Sequence, residues 1–159
     1  MKKLLAIVCV MLVGTMAAHA QFDKGRFAVG ASVLYGSEIE SAGINARAQY
    51  SILNNARVEL SGDYFFKHNE TTMYDLNLNI HCPVNLSQQR LFIYPIIGLA
   101  FTHADYPTPA EDLNKVGINL GSGIEYNLNN RISIELEYRH SIMKSIDQGV
   151  IGLGVNYKL

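Results

Sequence analysis

Few residues in this chain have types and spacing suited to chemistry. His140 and Ser141 are adjacent, with Glu137 one helical-turn's distance before them. A His-Ser-acid set serves nucleophilic hydrolysis, in which a base takes the hydroxyl proton and the acid orients the base. In an extended strand, however, neighbouring side chains point to opposite faces, so His140 and Ser141 would not meet without a bend. His68, His81 and His103 fall near predicted strand ends or in loops and show no metal-ligand spacing. No glycine-rich phosphate loop or nucleotide motif is present. No catalytic residue, cofactor or metal site is expected. A larger charged set remains: Arg47, Arg57, Arg131, Arg139 and Lys158 against Glu59, Asp63, Asp75, Glu125, Glu135 and Glu137. If these share a narrow interior they must form a paired network, because unpaired buried charge is expensive.

The elements that carry them alternate. In Tyr74-Asp75-Leu76-Asn77-Leu78-Asn79-Ile80-His81, apolar and polar residues take turns without a break, and Ile132 to Arg139 repeats the pattern with a more charged polar face. Asp75, two asparagines and His81 are costly to point into a dry core. With the apolar face toward lipid and the polar face lining a narrow lumen, that conflict disappears. Eight strands are predicted: Arg26–Tyr35, Gly43–Tyr50, Ala56–Phe66, Tyr74–His81, Arg90–Thr102, Lys115–Tyr126, Ile132–Arg139 and Gln148–Leu159. The fifth is poorly phased, apolar on both faces from Leu91 to Ile97. Its Pro95 lacks a ladder donor, so a bulge or distortion is expected there. Loops follow the odd strands, the longest from His103 to Asn114, and compact Asn-bearing turns mainly follow the even ones. Tyr and Phe gather near strand ends as an interfacial belt would. The reading is an all-β, eight-stranded antiparallel up-and-down transmembrane barrel with a filled polar lumen. The alternative is a soluble lipocalin-like ligand-binding barrel, with the same strands turned inside out.

Composition narrows the field further. Lys2 and Lys3, the apolar run Leu4 to Val13 and Ala18-His19-Ala20 form an export signal over residues 1–20, leaving residues 21–159 as the barrel domain. The apolar run is shorter than the ~20 residues a membrane helix needs. Beyond Gln21 only Cys82 remains, so no intramolecular disulfide can form. Of 13 basic residues, losing Lys2 and Lys3 leaves 11 against 14 acidic ones, a net charge of −3. That is no footprint for nucleic acid. The loops carry Glu38, Glu40, Glu70, Asp105, Glu111, Asp112 and Asp147 against Lys67 and Lys144. A solvated, mildly anionic loop set explains them without a ligand, although loops are where recognition would reside.

Three stretches carry a family resemblance: Tyr94-Pro95-Ile96-Ile97-Gly98-Leu99-Ala100-Phe101, Gly121-Ser122-Gly123-Ile124-Glu125-Tyr126, and the ending Gly152-Leu153-Gly154-Val155-Asn156-Tyr157-Lys158-Leu159. They resemble the small outer-membrane β-barrel domain proteins of the OmpA/OmpX-like group of Gram-negative bacteria. The resemblance implies outer-membrane localisation and a non-enzymatic role in envelope integrity or surface interaction. It also implies partners: outer-membrane lipid and lipopolysaccharide, the barrel assembly machinery through the last strand, and an extracellular partner at the loops. Family members usually end in an aromatic residue, where this chain has Leu159. Some eight-stranded barrels modify lipid A. Here Ile142-Met143-Lys144 departs from the deacylase pattern, a serine two residues beyond the histidine and then asparagine. A small channel is the other alternative. An eight-stranded barrel is only wide enough for its own side chains, which argues against a pore.

Overall fold

The computed structural model describes residues 24–68, 71–88, 90–105, 113–143 and 146–159. The export signal over residues 1–20 and most of the long loop after His103 lie outside the described residues. So do Glu70, Gln89 and Lys144.

The strands are β1 (Phe27–Gly36), β2 (Ser41–Leu53), β3 (Ala56–His68), β4 (Thr71–His81), β5 (Val84–Ser87), β6 (Leu91–Asp105), β7 (Leu113–Asn127), β8 (Ile132–Met143) and β9 (Ile146–Lys158). Consecutive strands pair antiparallel from β1 to β4 and from β5 to β9, β1 also pairs with β9, and β4 pairs with β6. Eight strands therefore close on themselves, leaving no free edge and satisfying the backbone internally, as a membrane-spanning sheet must. The ninth, β5, is a short piece pairing only with the start of β6, in the stretch the sequence suggested was a plain turn.

The alternation resolves the direction of the faces. Val33, Leu76 and Val116 on the outer face are 62%, 52% and 63% exposed, while Asn77, Glu125 and Asn119 are fully buried. The polar face is inside. That arrangement excludes the inside-out, lipocalin-like reading, whose interior would be apolar. Phe27, Tyr50, Tyr126 and Tyr157 are outward-facing and exposed at the end holding Leu159, and Tyr35, Phe66, Tyr74 and Tyr138 at the other. Tyr74 packs against Tyr64, with ring centroids 5.2 Å apart, and against His103 at 6.4 Å. Two aromatic girdles bound an aliphatic band.

The distortion expected at Pro95 falls on the strand facing it, where strand structure lapses between His81 and Val84, and leaves the β7 side regular. Pro95 pairs with Ser122 in an unbroken β6–β7 register, and β4–β6 pairing ends just above it, at His81 with Ile96. On that side Pro95 meets the chain leaving β4, where its carbonyl accepts from the Cys82 N–H at 3.4 Å. Its missing donor therefore falls where the β4 ladder has already stopped. The same register settles the phase of β6, with Phe92, Tyr94 and Ile96 buried inside and Ile97, Leu99 and Phe101 exposed outside. The lumen is also less uniformly polar than the alternation suggested. Leu34, Ile39, Phe65, Met73, Ala104 and Val150 form a buried apolar cluster at the end away from Leu159.

Two substitutions test this packing. A side chain at Gly123 would fall within the Tyr94 ring, so Gly123→Val should lose about 1–3 kcal/mol through overpacking. Pro95→Ala should change stability by less than about 0.5 kcal/mol, as for a surface position without a special role. Urea unfolding in detergent measures both.

Candidate functional site

The interior is the candidate site, and it is built from facing strands. β2 supplies Asn45, Arg47 and Gln49; β3 supplies Arg57, Glu59 and Asp63; β4 supplies Asp75, Asn77, Asn79 and His81. Across the barrel stand Tyr94 from β6, Asn119 and Glu125 from β7, Glu135, Glu137 and Arg139 from β8, and Asn156 and Lys158 from β9. Gly123 leaves room for the Tyr94 ring, and Gly121 lets β7 lie close against the β8 backbone at Tyr138 and Arg139.

Three knots of charge result. Near the end holding Leu159, Arg57 Nη1 donates to Glu125 Oε2 at 2.5 Å, and Lys158 Nζ lies 2.8 Å from the other carboxylate oxygen. In the middle, Arg47 pairs with Glu135, with Glu137 at 2.9 Å and with Glu59 at 3.5 Å. Toward the far end Arg139 pairs with Asp63. Among the described residues, then, Arg47, Arg57, Arg139 and Lys158 face six carboxyls. Neutral donors supplement the bases. Gln49 and Asn79 donate to Glu59 at 2.8 and 3.3 Å, and Asn45 and Asn77 to Asp63 at 2.5 and 3.1 Å. Thr102 donates to Asp75 and Asn156 to Glu135, both at 2.6 Å, and the Tyr94 hydroxyl to Glu137 at 2.8 Å. Every lumen carboxyl has at least one partner, a base or a neutral donor, as buried charge requires.

Ten of the eleven charged residues singled out in the sequence lie in this lumen. The eleventh, Arg131, does not. It is exposed in the turn between β7 and β8, its guanidinium 3.3 Å from the Tyr157 hydroxyl. There the Asn129 side chain accepts from the N–H groups of Arg131 and Ile132, both at 2.8 Å. That turn places Arg131 one residue short of the strand, where alternation no longer decides its face.

One participant, Tyr94, escaped sequence reasoning. His81, placed on the polar inward face by alternation, is fully buried, and its ring stacks on Tyr94 at 4.9 Å and 17°. Arg57 covers the same Tyr94 ring at 4.6 Å. Tyr94 was hidden because its strand is apolar on both faces; the glycine opposite it was the available signal.

Metal and catalytic chemistry can both be tested on geometry. Ligand atoms of Glu59, His81 and Glu137 lie within 4.8 Å of one another. But Arg57 Nε donates to His81 Nδ1 at 3.1 Å, leaving the ring proton on Nε2, the atom that would have to bind the ion. The Arg47 guanidinium already stands between the two carboxylates. These residues suit an arginine, not a metal ion. Ser141 is buried and donates to Asn119 Oδ1 at 2.6 Å, whereas the neighbouring His140 lies on the outward-facing side of β8. The base and the hydroxyl face opposite sides of the barrel wall.

A closed barrel with its acids and bases interlocked inside agrees with comparison to known proteins. The sequence profile described as "Outer membrane protein beta-barrel domain" matches residues 6–158. The chain belongs to this family. Outer membrane protein X of Escherichia coli (strain K12) is 24% identical over 168 residues, covering 97% of this chain and 94% of that one. The N-terminal β-barrel domain of Pseudomonas aeruginosa OprF superposes with a TM-score of 0.74 at 14% identity, covering 86% of this chain and 98% of that one. Ail, the attachment invasion locus protein of Yersinia pestis, gives 0.63 at 16% identity, covering 86% and 99%. Ail has also been solved with the heparin analogue sucrose octasulfate. The structural likenesses establish the fold, and the family places this chain in the outer membrane of Gram-negative bacteria.

The lumen network makes a quantitative prediction. Removing one partner from a buried ionic cluster costs about 3–5 kcal/mol because it strands the other charge. Arg47→Met, which leaves Glu59, Glu135 and Glu137 facing one another, should lose that much in urea unfolding. Adding Glu137→Leu should recover at least half of it.

Proposed function

We propose that this protein is a non-enzymatic envelope protein whose barrel is a sealed anchor and whose outer connections are the interacting part. The observation that carries this reading is the lumen. It is occupied by interlocking charged and polar side chains, with Glu125, Asn119 and His81 fully buried, and a barrel of this size has no spare width for a water column. Residues 1–20 act as a cleaved export signal, the last strand engages the assembly machinery, and the aromatic girdles seat the barrel among lipid and lipopolysaccharide. An extracellular partner would meet the outer connections, which carry seven acids and two lysines in sequence. That charge opposes a sulfated polyanion of the kind seen in Ail and favours a basic surface.

An enzyme acting on outer-membrane lipid would rest on His140 and Ser141, and the wall of β8 separates them. Two measurements decide. Purified protein in planar bilayers should give no stepwise conductance, and steady ion flow would sink the sealed-anchor reading. Deleting the gene should leave the lipid A mass spectrum unchanged, while loss of a modified species would restore the enzymatic one.

A further inference from the structure

The apolar cluster at the end away from Leu159 contains one residue that belongs to no strand. Ile39 lies in the turn Ser37–Glu40 that joins β1 to β2, between two exposed glutamates, yet it is only 8% exposed. Its side chain reaches inward and packs with Leu34, Phe65, Met73, Ala104 and Val150. The turn is fastened at three places. Ser37 N–H donates to Gly149 O at 2.8 Å, Gly149 N–H donates to Ser37 Oγ at 3.0 Å, and Ser41 Oγ donates to Phe66 O at 2.6 Å. It also holds Glu40 at φ 50°, in the left-handed region that non-glycine residues enter at a cost. A surface turn of four residues could relax this backbone by lifting away; burying Ile39 is what opposes that.

Beneath the turn lies the amide of Gln148. Gln148 is fully buried, and neither its amide nitrogen nor its amide oxygen has a hydrogen-bond partner among the described residues. It sits directly under the turn: Gln148 Nε2, Phe65 Cε1 and Ile39 Cγ2 would lie 2.8, 2.9 and 3.0 Å from a Cβ added at Gly36. Asp75 Oδ2 and Arg139 Nε, also buried without partners, follow in the next layer, two residues below Met73 and directly across from Val150. Amide, carboxylate and guanidinium groups in this state are stabilised by access to water or small polar solutes.

We propose that the Ser37–Glu40 turn is a hinged cap. Closed, it seals the far end of the lumen by seating Ile39 in the apolar cluster; open, it admits water and small polar solutes to the layer around Gln148. The salt-bridged layers below stay in place, so opening gives access without conduction. This goes beyond the sealed-anchor reading, and conductance tests that reading separately.

Thiol labelling tests the cap. In a Cys82→Ser background, Ser141→Cys places an isosteric, buried probe beside Gln148, its cross-strand partner. A small charged methanethiosulfonate reagent is added to the barrel in vesicles, and modification is followed by mass spectrometry. With the native cap, labelling should be at least 100-fold slower than at an exposed control such as Ser37→Cys. Ile39→Asp should speed it at least tenfold, and Ile39→Ala by less, in protein whose gel band still shifts on boiling. A second variant covers the case in which Ile39→Asp does not fold. Ser37 Oγ lies 3.0 Å from an ideal Cβ on Gly149, which suits a Ser37→Cys/Gly149→Cys disulfide. Oxidised, this lock should slow labelling of the probe at least tenfold, and reduction should restore the rate. A probe that labels like the exposed control under the native cap overturns the proposal. So does a rate indifferent to both Ile39 and the lock.

Discussion

A narrow lumen cannot leave charge unpaired. Each carboxyl pointing into this barrel is held by a base, by a neutral donor, or by both. Arg47 is the centre of that arrangement, reaching Glu59 on β3 and both Glu135 and Glu137 on β8. Much else follows from this constraint. The Tyr94 ring that Arg57 and His81 cover needs space, so β7 carries Gly123 opposite it. The pairs must meet across the barrel rather than along a strand, so β2 and β3 are cross-linked to β7 and β8 from within. With the charged and polar side chains gathered inside, the outer face is free to be aliphatic, and the chain can meet lipid without exposing a backbone edge.

The same packing explains why the described residues of the interior form neither an open metal site nor a joined His-Ser pair. Among the described residues, the one triad of potential metal ligands is already occupied by Arg47 and oriented by Arg57. The one adjacent His-Ser pair is split by the barrel wall. Groups that would be reactive elsewhere are here spent on holding one another, which leaves the connections beyond the membrane as the natural place for recognition.

Much of this was legible in the sequence, because alternation is a direct consequence of strand geometry. Strict runs such as Tyr74–His81 and Ile132–Arg139 announced both their strands and their faces. Legibility failed where alternation stops carrying information. From Leu91 to Ile97 both faces are apolar, so Tyr94 could not be assigned inward until β7 placed Gly123 opposite it. Arg131 was read one residue too far into a strand that begins at Ile132. Ile39 was lost in a loop that otherwise looks polar, since nothing local tells that one side chain of a turn folds down into a core built by β1, β3, β4, β6 and β9. The direction of the faces, lipid outside and charge inside, rested on the cost of burying Asp75 and His81 in a dry interior, and the fold follows it.

The chain contains no tryptophan, which makes one measurement unusually clean. A single Trp placed at Leu78, on the outer face of β4, would be the only one in the protein. After reconstitution into vesicles whose acyl chains carry bromine near mid-depth, its fluorescence should be strongly quenched, while aqueous iodide should have little effect. Strong iodide quenching, or indifference to both quenchers, would place Leu78 in water or in a protein core and contradict a lipid-facing barrel with its charge inside.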